Sequence, residues 1–272
     1  MDNKKKFSMI LDDIKKVKIQ GARTIARKAL EAYFLIPTKR SNQLLVSARP
    51  TEPMLEKVLR EAKSKSYKEI ISHFDSSQEK INSYVFKLIK KGDVIFTHCH
   101  STNVVNALIY AKKHGKRFEV YNTETRPIFQ GRKTSLELSK AGIKVTQFVD
   151  AAAMIALTKS QGTKKADKVF LGADALVKKG IINKIGSGMF SRIAYDNGIP
   201  VYIITDSWKF TPKKVPFENR KLNEIWDKAP KNVRIKNPAF EFVPQEHIKG
   251  IISEIGFLKY GEFVKKAGKK TE

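Results

Sequence analysis

Apolar and polar positions follow two regimes along this chain, and the regimes meet near residue 90. Before that point the apolar residues recur at helical spacing. Ile14, Val17, Ile19, Ile25, Ala26 and Ala29 fall near a 3.6-residue period, and Met54, Leu55, Val58 and Leu59 continue it. The stretch YKEIISHFDSSQEKINSYVFKLIKKGD predicts one or two more helices, with Gly92 as a stop signal. A strand-like run, Leu44 to Ser47, interrupts this helical set beside Arg49, Pro50 and Thr51. The interruption predicts a loop that reaches a ligand.

Beyond residue 90 short β-branched runs alternate with amphipathic stretches. DVIFTH, FEVYNTE, KVTQFVD, KVFLGAD and PVYIITD read as strands, each followed by a helical crossover of ordinary length. The pattern predicts an α/β protein in two parts: an N-terminal helical subdomain over residues 1–90 and a Rossmann-like parallel-sheet domain over 91–272. All five runs end in a polar residue: His98, Glu124, Asp150, Asp174 and Asp206. Parallel strands bring their C-terminal ends to one edge, so these residues are expected to face one crevice. For Asp150, just before AAAMIAL, a helix N-cap is the better reading, while Asp174 is suited both to cap and to present. No repeat or low-complexity tract is present, and the terminal VKKAGKKTE reads as a frayed end.

Composition narrows the class. The 272 residues, 41% hydrophobic, are enough for a full core, and no segment reaches the roughly 18 apolar residues of a membrane span. MDNKKKFSMILDDIKK lacks the apolar core and cleavage site of a signal peptide. A single cysteine excludes an intramolecular disulfide framework and a multi-cysteine zinc site, and the expected compartment is the cytoplasm. The net charge of +26 would attract phosphorylated metabolites, acidic partners or nucleic acid. Its lysines are dispersed along the chain without a recognition motif, which supports only non-specific nucleic-acid binding.

Three groups carry candidate chemistry. Cys99 stands where a strand gives way to a helix, between His98 and His100. Helix amides and flanking imidazoles there would lower its pKa, although a lone cysteine is also often an inert, buried small hydrophobe. Paired with Asp174 it offers a base and an acid for proton transfer beside a sugar carbonyl. Leu171, Ala173 and Ala175 would supply the apolar surroundings that keep the acid protonated. The second group is Asn183-Lys184-Ile185-Gly186-Ser187-Gly188. Lys184 would meet a phosphate, and the glycines would open a helix with free amides; a plain turn before a helix is the simpler alternative. The third is a set of loop cations: Arg23, Arg49, Arg126 and Lys209.

The ordered motifs THCHS, YNTETRPIFQG, GAD, INKIG and NPAFEFVPQE resemble a known family. It joins archaeal ribose-1,5-bisphosphate isomerase, methylthioribose-1-phosphate isomerase and the α/β/δ regulatory subunits of translation initiation factor 2B. The resemblance runs from IQGARTIARKAL to IISEIG, in a chain shorter than typical isomerases. It implies an aldose–ketose isomerase acting on ribose 1,5-bisphosphate without metal or redox cofactor, and a homo-oligomer such as a dimer or hexamer. AMP is a possible activator. The resemblance leaves two alternatives: methylthioribose-1-phosphate isomerase, and a non-catalytic regulatory subunit, which usually lacks the cysteine and aspartate.

By the same resemblance Cys99 would abstract the sugar C2 proton and Asp174 would protonate the ring oxygen. Asn183 and Lys184 match a substrate-binding pair, Arg49 in ARPT matches a phosphate-contacting arginine, and Lys209 in SWKF matches a substrate lysine. Ser101, Thr102 and Asn103 occupy a substrate-holding turn, where Thr102 and Asn103 depart from the commoner residues. Gln20, Gly21, Ala22 and Arg23 match a motif that usually reads Arg-Gly-Ala-Gly. Gln20 thus replaces the arginine, and Arg23 stands in place of the second glycine.

Overall fold

The computed structural model describes residues 2–269. Five helices come first: α1 (Asn3–Lys15), α2 (Ala22–Leu35), α3 (Lys39–Ala48), α4 (Pro53–Glu61) and α5 (Tyr67–Leu88). Each turns an apolar stripe inward, and Ile14, Ile25, Leu30, Leu45, Leu55, Leu59 and Phe74 form their common core. The strand expected at residues 44–47 is instead part of α3. Thr38 Oγ1 accepts from the Ser41 amide at 3.1 Å to start the helix. Leu45 is fully buried in the helical core with Leu44 and Val46 packed beside it, so tertiary burial overrides a short strand-like run.

The α/β part follows as β1 (Val94–Thr97), α6 (Thr102–Lys113), β2 (Glu119–Thr123), α7 (Gln130–Lys140), β3 (Lys144–Phe148), α8 (Ala153–Leu157) and β4 (Lys168–Leu171). Then come β5 (Ala175–Val177), β6 (Gly180–Lys184), α9 (Ser187–Asp196), β7 (Val201–Ile204), β8 (Phe240–Pro244), β9 (Gly250–Ser253), β10 (Gly256–Leu258) and α10 (Tyr260–Gly268). The main sheet has the order β10-β9-β7-β4-β1-β2-β3 and is parallel except for β10. A small antiparallel sheet, β5-β6-β8, leaves the end of β4 and carries Asn183 and Lys184. All five strands read from the sequence are present. The central ones, β1, β4 and β7, are buried along their whole length, as continuous apolar runs require.

α5 belongs to both parts. Ile70 and Phe74 pack in the helical core, whereas Ile81 and Val85 pack with Ile95, Phe170 and Ile204 of the sheet. A capping box between Ser66 and Glu69 fixes where this helix starts.

Three other expectations are corrected. Asp150 does not cap the helix that follows it: its carboxylate accepts from the amides of Thr125 and Arg126 at 2.9 and 2.6 Å, holding the loop after β2. The strand-end residues do not all share one crevice. Glu124 pairs with Arg132 at 2.9 Å and Asp206 with His73 at 3.1 Å, leaving His98 and Asp174 on the cleft described below. The chain end is not frayed up to residue 268, because Phe263 and Ala267 bury one face of α10 against the sheet. Residues 270–272 lie outside the described residues.

Candidate active site

A cleft of about 790 Å³, open to solvent, lies between the helical part and the C-terminal edge of β1 and β4. The chain brings Cys99, Asp174, Asn183, Lys184 and Lys209 to it from the sheet side, and Ser101, Thr102 and Asn103 from the start of α6. Gln20, Gly21, Ala22, Arg23 and Arg49 reach it from the helical side. Every residue matched to the site by the resemblance therefore lines one cavity. Arg126 does not: its guanidinium lies 5.0 Å over the Phe129 ring.

The Cys99 backbone is held in the left-handed region, with φ +66°. Its amide donates to Thr125 Oγ1 at 3.0 Å, and its carbonyl accepts from Thr134 Oγ1 at 2.8 Å. Strain of this kind persists where the surroundings over-determine it. Two motif glycines explain the tight fit. A Cβ on Gly131 would lie 1.7 Å from the Thr123 carbonyl oxygen, and one on Gly172 would lie 2.6 Å from Ser101 Oγ. Gly131 lets α7 start against β2, which brings Gln130 over Cys99. The thiol donates to Gln130 Oε1 at 3.6 Å, Gln130 Nε2 donates to Gln20 Oε1 at 3.0 Å, and Gln20 donates to the Val17 carbonyl at 3.4 Å.

The flanking imidazoles do not activate the thiol. His98 Nε2 faces the Ile185 carbonyl at 2.9 Å, and because a carbonyl only accepts, that nitrogen carries the proton; Nδ1 accepts from Thr123. Burial pushes His98 down to about 4, so it is neutral. His100 is likewise lowered by burial, then by Lys133, and its Nδ1 donates to Thr134 Oγ1 at 3.0 Å. Burial pushes the Cys99 thiol up to about 11, against the sequence expectation, with Lys184 the cation that favours its thiolate. At neutral pH Cys99 is accordingly a thiol. Asp174 is raised by burial although Lys209, Lys184 and Arg49 oppose the shift, in line with the apolar shell of Leu171, Ala173 and Ala175, all buried.

The anion site expected at Gly186 to Gly188 is not free. Glu241, opposite Asn183 in the β6–β8 ladder, accepts from the Gly188 amide at 2.6 Å. Lys184 remains available in the cleft, its Nζ 4.9 Å over the Phe240 ring. Lys209 is buried and donates to the Ala173 carbonyl at 2.6 Å. Arg23 pairs with Asp75 at 3.0 Å and stacks over Phe74 at 5.4 Å. Arg49 meets two acids absent from the sequence reading, Glu218 at 3.0 Å and Glu52 at 3.5 Å, and Arg220 completes the cationic wall. Glu52 directly follows the ARPT motif and only burial reveals it. Glu218 and Arg220 come from a long irregular segment whose sequence carries no structural signal.

This fold and cleft define a member of the Initiation factor 2 subunit family, whose model matches residues 18–260; the chain belongs to that family. Its relatives include the ribose 1,5-bisphosphate isomerase of Pyrococcus furiosus, 32% identical over 92% of this chain and 89% of the relative. The 5-deoxyribose 1-phosphate isomerase of Clostridium botulinum is 32% identical over 92% and 85%. Among solved structures, the translation initiation factor eIF-2B of Pyrococcus horikoshii superposes with a TM-score of 0.81 at 26% identity, covering 93% of this chain and 96% of that one. No helix among the described residues is long and apolar enough to cross a membrane.

Proposed function

We propose that this protein is an aldose–ketose isomerase that converts ribose 1,5-bisphosphate to ribulose 1,5-bisphosphate. The observation that carries the reading is the convergence of Cys99 and Asp174, from two adjacent strand ends, on a cleft walled by Arg23, Arg49, Lys184, Lys209 and Arg220. A non-catalytic binding surface has no use for a proton-transfer pair inside such a wall.

Burial suits Asp174 to the acid form that protonates the ring oxygen as the C1–O bond opens. The Cys99 thiol first loses its proton to solvent, the thiolate being favoured by Lys184, and the thiolate then takes the C2 proton to give the enol. The thiol returns that proton to C1 while the Asp174 carboxylate accepts the O2 proton, leaving the ketone at C2, Asp174 protonated and Cys99 again a thiolate. Lys184 and Lys209 are the cations for one phosphate. Arg23 is the cation for the other, in place of the arginine expected at Gln20. Asn183, held by Ser187 Oγ at 2.8 Å, and the Ser101–Asn103 turn orient the sugar.

We further propose a unit boundary near residue 90, a homo-oligomer, a cytoplasmic setting and AMP as an activator. An NMR time course with ribose 1,5-bisphosphate, using wild type and Cys99→Ala, tests the reading. Product from wild type alone supports it. Turnover of only methylthioribose 1-phosphate moves the assignment to that substrate, and no turnover of either, with AMP present, overturns the enzyme.

A further inference from the structure

The hydrogen bonds that join Cys99 to other elements run to one side of the cleft. Thr125, after β2, accepts from its amide at 3.0 Å, and Gln130 and Thr134 of α7 meet its thiol and its carbonyl at 3.6 and 2.8 Å. Lys184 ends β6, in the small sheet. Among the described residues one hydrogen bond joins the Cys99 turn to that strand end. His98, the residue before Cys99, donates from Nε2 at 2.9 Å to the carbonyl of Ile185, the residue after Lys184. Its Nδ1 accepts from Thr123 of β2, so a single ring is tied at once to β2 and to the chain leaving β6.

The surroundings are built to receive this ring. It is 2% exposed and lies against Phe190 of α9, with 4.7 Å between ring centres. Gly186 has φ +100°, and a Cβ there would stand 3.0 Å from His98 Nε2 and 3.1 Å from Phe190 Cε2. A side chain at 186 would therefore hold the chain after Lys184 off the imidazole. With one nitrogen donating to a carbonyl and the other accepting from a hydroxyl, the ring is restricted to one neutral tautomer. It has no charge to lend the thiol and no free nitrogen to move a proton. What it sets is distance. Each of its anchors lies one peptide, about 3.8 Å along the chain, from a functional side chain, so a shift in the His98–Ile185 bond passes directly to Cys99 and Lys184.

We propose that His98 is a positioning residue of this site: it tethers the Cys99 turn to the chain after Lys184 and so keeps the thiol and the ammonium in one register. The purpose of the register rests on the isomerase reading, while the tether is a property of the free protein.

The two ring nitrogens can be replaced separately. His98→Gln carries an amide nitrogen out to the place of Nε2 and keeps the bond to Ile185, whereas His98→Asn reaches only the place of Nδ1 and keeps Thr123. Cys99 is the sole cysteine, so iodoacetamide reads it directly. Alkylation at pH 8 is measured in the full-length wild type and both variants, each with and without Lys184→Ala, after thermal melting has confirmed folding. Lys184 is the cation that favours the thiolate. Its removal should slow alkylation about tenfold in wild type and in His98→Gln, the effect of one pH unit of thiolate stabilisation. In His98→Asn the same removal should slow it less than about threefold, because the two side chains are no longer held together. An equal effect in all three backgrounds, or His98→Gln behaving as His98→Asn, overturns the proposal.

A second measurement needs no variant. Long-range ¹H–¹⁵N NMR of the wild type should show His98 with its proton on Nε2, and a proton on Nδ1 overturns the tether. In turnover of ribose 1,5-bisphosphate, kcat should fall about tenfold to a hundredfold in His98→Asn, the scale of a misplaced reacting group, and recover in His98→Gln. If the wild type does not turn this sugar over, the isomerase reading fails by itself, and alkylation and NMR still decide whether the tether exists.

Discussion

Glu241 on β8 accepts a hydrogen bond from the Gly188 amide at 2.6 Å, so a carboxylate of the protein already occupies the positive end of α9. This contact fastens the small sheet to the helix that follows Lys184. Replacing Glu241 by Ala leaves amides at the start of α9 without their acceptor and is expected to cost about 1–2 kcal/mol, the scale of a lost N-cap. Urea denaturation of the two proteins reads the difference, and Glu241→Gln, which keeps an acceptor oxygen, should recover part of it.

Cys99 offers a test by chemistry. Its thiol, raised to about 11 by burial, reacts as the thiolate. Alkylation by iodoacetamide should therefore accelerate about tenfold per pH unit from 7 to 10, since the thiolate fraction grows at that rate below the pKa. A plateau near pH 8 would mean an activated thiol. Lys184→Ala removes the cation that favours the thiolate, so alkylation at a given pH slows. Turnover by Cys99→Ala should fall about 10³-fold, within the range for loss of a general base.

The close approach of Ser101 to Gly172 predicts a rescue. A Cβ on Gly172 would lie 2.6 Å from Ser101 Oγ and 2.7 Å from Ser101 Cβ. Gly172→Ala is expected to cost about 1–3 kcal/mol as an overpacked site and to displace the turn that starts α6. Ser101→Gly in the same chain removes both clashing atoms. The double variant should then regain thermal stability while KM stays high, a coupling that melting temperature and kinetics together would read.

His73 and Asp206 tie α5 to the end of β7 and predict an acid dependence. Burial pushes Asp206 up, but His73 and the Trp208 amide at 2.9 Å outweigh it and hold the carboxyl below its ordinary value. A carboxyl depressed in the folded state stabilises the fold above the unfolded value, near 3.9, and loses that contribution as pH falls through the folded one. Urea midpoints should therefore drop below about pH 4, and His73→Phe, which keeps a ring to stack on Trp208 (3.6 Å between ring centres), should flatten that part of the curve.

Much of the site was legible because parallel strands announce their C-terminal ends. Cys99 and Asp174 each follow a buried apolar run, and the topology of β1 and β4 places them side by side. Composition could not point to a sugar phosphate; the resemblance of the ordered motifs supplied that expectation. What escaped depends on contacts distant in sequence. Glu241 reaches Gly188 across 53 residues, and Glu218 reaches Arg49 from the irregular segment before β8. The four residues of LLVS are too few to distinguish a 3.6 period from a period of two, so only the burial of Leu45 decided their helix. The state of Cys99 is not legible in the sequence because His98 and His100, though adjacent along the chain, give their polar atoms to Ile185 and the threonines rather than to the thiol.

The double membership of α5 has a mechanical consequence. At 1.5 Å per residue its 22 residues make a rod of about 33 Å. One end is embedded in each core, so the two walls of the cleft are set on a common beam. Swinging them apart at the 89–93 link would mean bending that beam or tearing one end from its packing. A single rod thus sets the spacing of the two walls, and the Gln20–Gln130 hydrogen bond spans them above the thiol.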